Sequence, residues 1–320
     1  MKKILLLSSI LICSISQHIY AQIEMQGSQF IFDKTFINPA FSGIDGHINA
    51  NLHYQLNEVN QGTGKSHTIS ASGNIPMPKV KSSLGLNIVR SVFGYDSYTM
   101  GYGNYVYHLP VSENTVLSSG ISFGVQQFDI NVLNSTTIVE NDPLAARNIY
   151  SSKFDARFGI VGTFSKKYYV GLSFDNILSL YDNKDSYYNQ IPNTFRKINM
   201  YLIGGATVHN NENITLRSNI LVMKTFGGLT ALDVNAMVTL NEGLSFGLGF
   251  RQQIEELQSV AVGAEGKSFS QSLLRPMLQY AIPTSKKEMI KIGYCYSFNA
   301  GRSTSIGMAS HDIALTFSIL

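Results

Sequence analysis

The stretch Leu117-Ser118-Ser119-Gly120-Ile121-Ser122-Phe123-Gly124-Val125-Gln126 alternates with a period of two. Successive side chains of an extended chain point to opposite faces, so Leu117, Ile121, Phe123 and Val125 share one face with Ser119. Ser118, Gly120, Ser122, Gly124 and Gln126 share the other. One face is apolar, and the other is small and wettable. The same pattern recurs at Ile48, Ala50, Leu52 and Tyr54, at Phe154, Ala156, Phe158 and Ile160, and at Leu232, Val234, Ala236 and Val238. It returns at Leu244, Phe246, Leu248 and Phe250, and at Ile313, Leu315, Phe317 and Ile319. Repeated segments of about ten residues with one apolar and one small polar face are the pattern of a membrane-spanning β-barrel. A soluble sandwich also alternates, but with shorter strands and more charge on its polar faces. Here only 14% of residues are charged, against about 25% in ordinary soluble domains. The reading is an all-β, antiparallel transmembrane barrel.

Fourteen such segments can be traced, from 47–55 to 309–320, an even number as expected when both ends of a single-chain bacterial barrel face the periplasm. Every second connection is short, for example Ser165-Lys166-Lys167 and Asn241-Glu242-Gly243. Several of the others are long, notably Asp129 to Lys153, Leu178 to Phe195, Gln252 to Ser270 and Asn299 to Ser310. Short turns on one side and long loops on the other match periplasmic turns and extracellular loops. Val260 to Gly266 is read as an extension above the membrane. Val234 is expected to face lipid, and Asn235 to face a lumen tolerant of substitution.

The N-terminus explains how such a chain reaches a membrane. Lys2 and Lys3 precede an apolar stretch, Ile4 to Ile12, and Ile19-Tyr20-Ala21 ends on a small residue. This is the layout of a secretory signal peptide, too short to span a bilayer as a helix. The expected organisation is residues 1–21 as a cleaved signal, 22–46 as a separate N-terminal segment and 47–320 as an outer-membrane barrel. Cys295 is then the single remaining cysteine, so no intramolecular disulfide can form.

Catalytic and cofactor chemistry find little support. Gly62-Thr63-Gly64-Lys65-Ser66 resembles part of a phosphate-binding loop, but Val59 stands where the first glycine is needed, and a hairpin surrounds it. His47 and His53 share a face about 20 Å apart along a strand, with no cysteine or carboxylate cluster to complete a metal site. Asp155 with Arg157, and Asp233 with Arg251, read as charge pairs neutralised inside the lumen. No catalytic residue, metal or cofactor is expected. The net charge of +3 is small and unclustered, which argues against nucleic acid.

The segment before the first strand breaks the pattern. Gln29-Phe30-Ile31-Phe32-Asp33-Lys34-Thr35-Phe36-Ile37-Asn38-Pro39-Ala40-Phe41-Ser42-Gly43 lacks alternation. Asn38-Pro39 and Ser42-Gly43 are turn chemistry, and five large apolar side chains need burial. The periplasmic mouth of the lumen is the nearest dry place, so this segment is expected to plug or line it.

An aromatic stretch running into Asn38-Pro39-Ala40-Phe41-Ser42-Gly43 strongly resembles the opening of the PorP/SprF family of type IX secretion and gliding proteins from Bacteroidetes. Weaker likenesses follow at Ser83-Leu84-Gly85-Leu86-Asn87-Ile88, Tyr169-Val170-Gly171-Leu172-Ser173-Phe174-Asp175-Asn176 and Ser310-His311-Asp312-Ile313-Ala314-Leu315. The chain departs from the family in having no tryptophan, Asp33 in place of Asn, and Asp312 in place of Glu. The resemblance implies an outer-membrane, non-enzymatic component of type IX secretion. Its implied partners are the secretion machinery or a secreted cell-surface adhesin, alongside outer-membrane lipid. Phe36, Asn38, Pro39, Phe41 and Gly43 are the candidate partner-binding residues of the segment. In the long loop Tyr181, Tyr187 and Tyr188 join them, because tyrosine offers rigid amphipathic contact area. The other reading is a passive or hydrophobic-solute transporter with an N-terminal plug.

Overall fold

The computed structural model describes residues 29–59, 65–131, 148–181, 197–256 apart from 212, 227 and 242, 268–300, and 308–319. Fourteen antiparallel strands form a closed barrel. They are β1 (Ile48–Val59), β2 (Lys65–Met77), β3 (Ser82–Phe93), β4 (Asp96–Ser112) and β5 (Thr115–Ile130). Then come β6 (Ile149–Phe164), β7 (Tyr168–Asp175), β8 (Asn199–Asn210), β9 (Ile214–Thr225) and β10 (Thr230–Leu240). The last are β11 (Leu244–Glu256), β12 (Ser268–Pro283), β13 (Glu288–Asn299) and β14 (Met308–Ile319). Each strand pairs with its sequence neighbour, and β1 closes on β14 from Ile48↔Ile319 to Val59↔Met308. Closure pairs the backbone of both end strands, which matters where no water can satisfy it. No helix among the described residues is long and apolar enough to cross a membrane.

Each strand coincides with one segment expected from the alternation. Several run further than expected: β6 starts at Ile149 and β12 at Ser268. Their extra residues still pair with β5 and β11, because a ladder can continue beyond the apolar band that sequence periodicity detects. Val260 to Gly266 and the first three residues of the phosphate-loop-like stretch lie outside the described residues, while Lys65 and Ser66 begin β2. The expected signal peptide, residues 1–21, also lies outside them.

The faces separate as the alternation requires. Leu52, Ile121, Phe123, Leu232, Val234, Leu248, Phe250 and Ile313 are exposed on the outer wall, whereas Ser118, Ser122, Asp155, Arg157, Asp233 and Asn235 are buried inside. An outer wall of exposed aliphatic and aromatic side chains is stable only against lipid. Tyr105, Tyr107, Phe164, Tyr168 and Tyr280 are exposed near the short-turn end, where a membrane interface favours amphipathic rings.

Val234 stands on this outer wall between Ile220 and Phe250. Val234→Arg should therefore lose about 2–4 kcal/mol in unfolding measurements on barrels in lipid vesicles, while Val234→Leu stays near wild type. Arginine tolerated as well as leucine would mean that this face does not meet lipid. The inward position beside it, expected to tolerate substitution, is enclosed by its neighbours. Asn235 is buried and accepts a hydrogen bond from Asn219 at 2.8 Å. Gly249 lies opposite it, next to Arg275. Around Asn235 the lumen is lined by closely set side chains.

One lumenal charge pair differs from the sequence reading, and another gains a partner. Arg157 pairs with Asp175 on β7, not with Asp155, and Asp233 pairs with Arg275 on β12. Residues two apart on one strand lie about 7 Å apart along it, whereas a neighbouring strand is about 4.8 Å away. For Arg157 the partner on the neighbouring strand wins, whereas Arg275 reaches Asp233 across the intervening β11. Arg251 does stand directly opposite Asp233 in the ladder.

Candidate functional site

The N-terminal segment lies inside the barrel. Its described part runs from a single-turn helix, α1 (Gln29–Phe32), through two 3-10 turns, Lys34–Phe36 and Pro39–Phe41. Side-chain oxygens start both turns. Asp33 accepts from the Thr35 backbone N–H at 2.9 Å, and Asn38 accepts from the Ala40 N–H at 2.9 Å. Pro39 occupies the first turn position, where its missing donor costs nothing and its fixed φ suits the turn.

Every residue of Asn38-Pro39-Ala40-Phe41-Ser42-Gly43 has a physical reason in this setting. While Asn38 Oδ1 caps the turn, its Nδ2 donates to the backbone carbonyls of Ile160 on β6 and Leu172 on β7, at 3.1 and 3.3 Å. The amide accepts through its oxygen while its NH2 offers two donors, whereas a carboxylate at this position could not donate. Ala40 is fully buried over Gly120, where an added Cβ would lie 2.6 Å from the Ala40 nitrogen. Phe41 meets Tyr169 edge-to-face with centroids 5.4 Å apart, a favoured arrangement of ring quadrupoles. Ser42 accepts from Asn104 at 3.3 Å. Gly43 has φ of +70°, and a Cβ there would collide with Ser83 Oγ. Both facts demand glycine.

The rest of the plug reaches around the wall. Asp33 accepts from Asn51 at 3.1 Å and from Ser72, tying it to β1 and β2. Thr35 accepts from Asn87 on β3 at 2.9 Å, and Phe32 lies against Gly293 on β13. Phe30, Phe41 and Ala40 share a buried apolar cluster with Val161, Tyr201, Ile203, Leu221, Met223 and Ala231 of the inner wall. This inward apolar patch is what the segment's aromatics needed. Gly120, Ile160 and Leu172 lie only about four to six residues, on the order of 15–20 Å of strand, from the short turns. The plug therefore occupies the short-turn half of the lumen.

Charge links the plug to the opposite end. Arg157, buried to 1% exposure, donates to Asp175 at 2.8 and 3.0 Å and also to the Phe36 carbonyl. Its guanidinium lies over Tyr102, 4.9 Å from the ring centroid. Asp155 accepts from Tyr102 at 2.7 Å, from Gln126 at 3.1 Å and from the Leu178 N–H at 3.2 Å. Gln126 also donates to Asn176 at 2.6 Å. Asp175 ends β7, and Asn176 and Leu178 begin the long β7–β8 connection, whose first turn is the 3-10 helix Ile177–Tyr181. One polar network thus joins the plug at Phe36 to the foot of the tyrosine-rich loop.

Phe36, Asn38, Pro39, Phe41 and Gly43 are therefore held together in one plug. Tyr181 ends the helix at the loop foot, and Tyr187 and Tyr188 lie outside the described residues. Sequence reasoning missed Arg157 and Asp175 as the link, and the inward glycines 120, 159, 171 and 293 as the cradle. Their signal was available: a glycine on a strand's inner face marks a close backbone approach. His53 is buried beside Asp312 at 3.6 Å. No group of three or more potential metal ligands exists among the described residues.

The family described as Type IX secretion system membrane protein PorP/SprF matches residues 19–317. The chain belongs to the PorP/SprF family. It is thus an outer-membrane barrel component of type IX secretion. No curated protein matches it in sequence. Among solved structures, the CymD monoaromatic hydrocarbon channel is similar with a TM-score of 0.56 at 9% identity, covering 95% of this chain and 94% of that one. A Pseudomonas aeruginosa FadL homologue gives 0.50 at 11% identity, covering 89% and 93%. The Pseudomonas putida toluene transporter TodX gives 0.50 at 8% identity, covering 94% of each. At these identities the likeness is one of fold. The PorP/SprF opening motif is, in this chain, the plug and its cap.

Proposed function

We propose that this PorP/SprF barrel acts by binding, not turnover. It anchors or helps display secreted surface adhesins at the outer membrane while engaging the type IX machinery. The observation that carries the reading is the continuous network from Phe36 through Arg157 and Asp175 to the foot of the 176–198 loop. A plug fixed to the wall at one end and tied through this network to the foot of the loop is a firm base for docking. Rigid aromatic surface is what protein docking favours. The short turns would face the periplasm and the loop the exterior.

A second reading, a hydrophobic-solute transporter, draws support from the apolar lumenal patch of Tyr201, Ile203, Leu221 and Met223. In this structure the plug covers that patch. The two readings separate in one strain carrying Phe41→Ala with Pro39→Ala. Docking predicts a folded barrel in the membrane, reduced recovery of its partner after cross-linking, and lower surface display of cargo. Transport predicts altered solute uptake or leak with normal display, a result that would sink the docking reading.

A further inference from the structure

At the short-turn end of the lumen, three cations form no ion pair among the described residues. Lys34 Nζ lies 5.5 Å from the Tyr169 ring centroid and 6.0 Å from that of Phe41. Tyr169 donates from its hydroxyl to Asn219, and Arg217 is the next inward residue of β9 toward the short turns. Across the lumen Phe32 covers Gly293, and Lys291 is the next inward residue of β13 toward the same end. Arg217 is exposed, and Lys34 and Lys291 are half-buried.

The nearby carboxylates are already engaged by neutral donors. Asp33 accepts from Thr35, Asn51 and Ser72. Asp45 accepts from the His47 N–H at 3.1 Å and from Asn49 at 2.9 Å. Among the described residues, none of the three cations forms an ion pair. They also feel one another: burial, then the charges of Arg217 and Lys291, lower the Lys34 ammonium to about 8, against the opposing pull of Asp33 and Asp45. Unpaired like charges gathered at one water-facing floor destabilise the empty barrel, and an anion would relieve them.

We infer that this floor is a binding site for an acidic polypeptide segment entering from the short-turn end. The cations project from three elements, and three strands separate β9 from β13. Their backbone positions are therefore about 19 Å apart along the wall at about 4.8 Å per strand, a span that an extended peptide matches because it presents carboxylates on one side about every 7 Å. The inference does not depend on the adhesin reading, and its failure would leave that reading standing.

The test uses the complete barrel in detergent micelles and a fluorescein-labelled hexaglutamate peptide, followed by anisotropy. Saturable binding at low salt is expected, weakening as salt screens it. Arg217→Gln with Lys291→Gln should weaken it about tenfold or more. Removing these unpaired cations relieves repulsion, so the variant should fold, which its heat-modifiable gel mobility reports. Lys224→Gln, near the long-loop end of β9, should bind as wild type. The inference is overturned if the parent barrel shows no saturable binding, or if the double variant binds equally well. It is also overturned if inorganic phosphate displaces the peptide as readily as free hexaglutamate does, since the floor would then be a small-anion site.

Discussion

In a Gly159→Val barrel the N-terminal plug is expected to leave its cradle while the wall remains closed. A Cβ at Gly159 would occupy the space of Asn38 Oδ1 and lie 2.8 Å from its Cγ. Asn38 cannot swing aside cheaply, because its amide makes three hydrogen bonds, to the Ala40 N–H and the Ile160 and Leu172 carbonyls. At about 1 kcal/mol each, their loss costs about 3 kcal/mol, enough to move the docked-to-undocked ratio by about a hundredfold. On the outer face nothing changes, since Gly159 points inward between the outward Phe158 and Ile160. Ser42→Cys in a Cys295→Ser background provides the measurement. Ser42 is fully buried, so its thiol should react slowly with a maleimide in the folded parent. With Gly159→Val the rate should rise by about two orders of magnitude, with heat-modifiable mobility retained. Unchanged protection would show that the wall yields instead of the plug, and the cradle argument would fail.

Arg157→Met is the second large effect. Arg157 and Asp175 are both buried, and the guanidinium also holds the Phe36 carbonyl. Removing the cation leaves the Asp175 carboxylate without its guanidinium in a packed lumen, a change that typically costs about 3–5 kcal/mol. Arg157→Lys should recover only part of this, because an ammonium lacks the fork that serves a carboxylate and a carbonyl together. Pairing Arg157→Met with Asp175→Leu should recover most of it, since the stranded charge is gone. Urea unfolding of refolded barrels gives all three values. A loss below about 1 kcal/mol for Arg157→Met, the range of an ordinary substitution, would mean that water reaches the pair and that the plug-to-loop network is not a rigid link.

The alternation at Leu117–Gln126 and its repeats was sufficient to place the strands, their inner and outer faces and the even count. Those features follow from a local rule: neighbouring side chains point opposite ways, and lipid accepts one kind while the lumen accepts another. The motif Asn38-Pro39-Ala40-Phe41-Ser42-Gly43 was likewise legible as turns carrying aromatics that must be buried, and as a resemblance to one family. Sequence could not say that Asn38 bonds carbonyls on two strands more than a hundred residues away, or that Gly120 and Gly159 lack side chains to admit Ala40 and Asn38. Nor could it pair Arg157 with Asp175 in preference to Asp155, or reveal that Asn235 sits in a packed interior. Each of these depends on which strands close around which segment. Alternation decides the face a residue occupies, whereas only barrel closure and the path of the plug decide what it meets there.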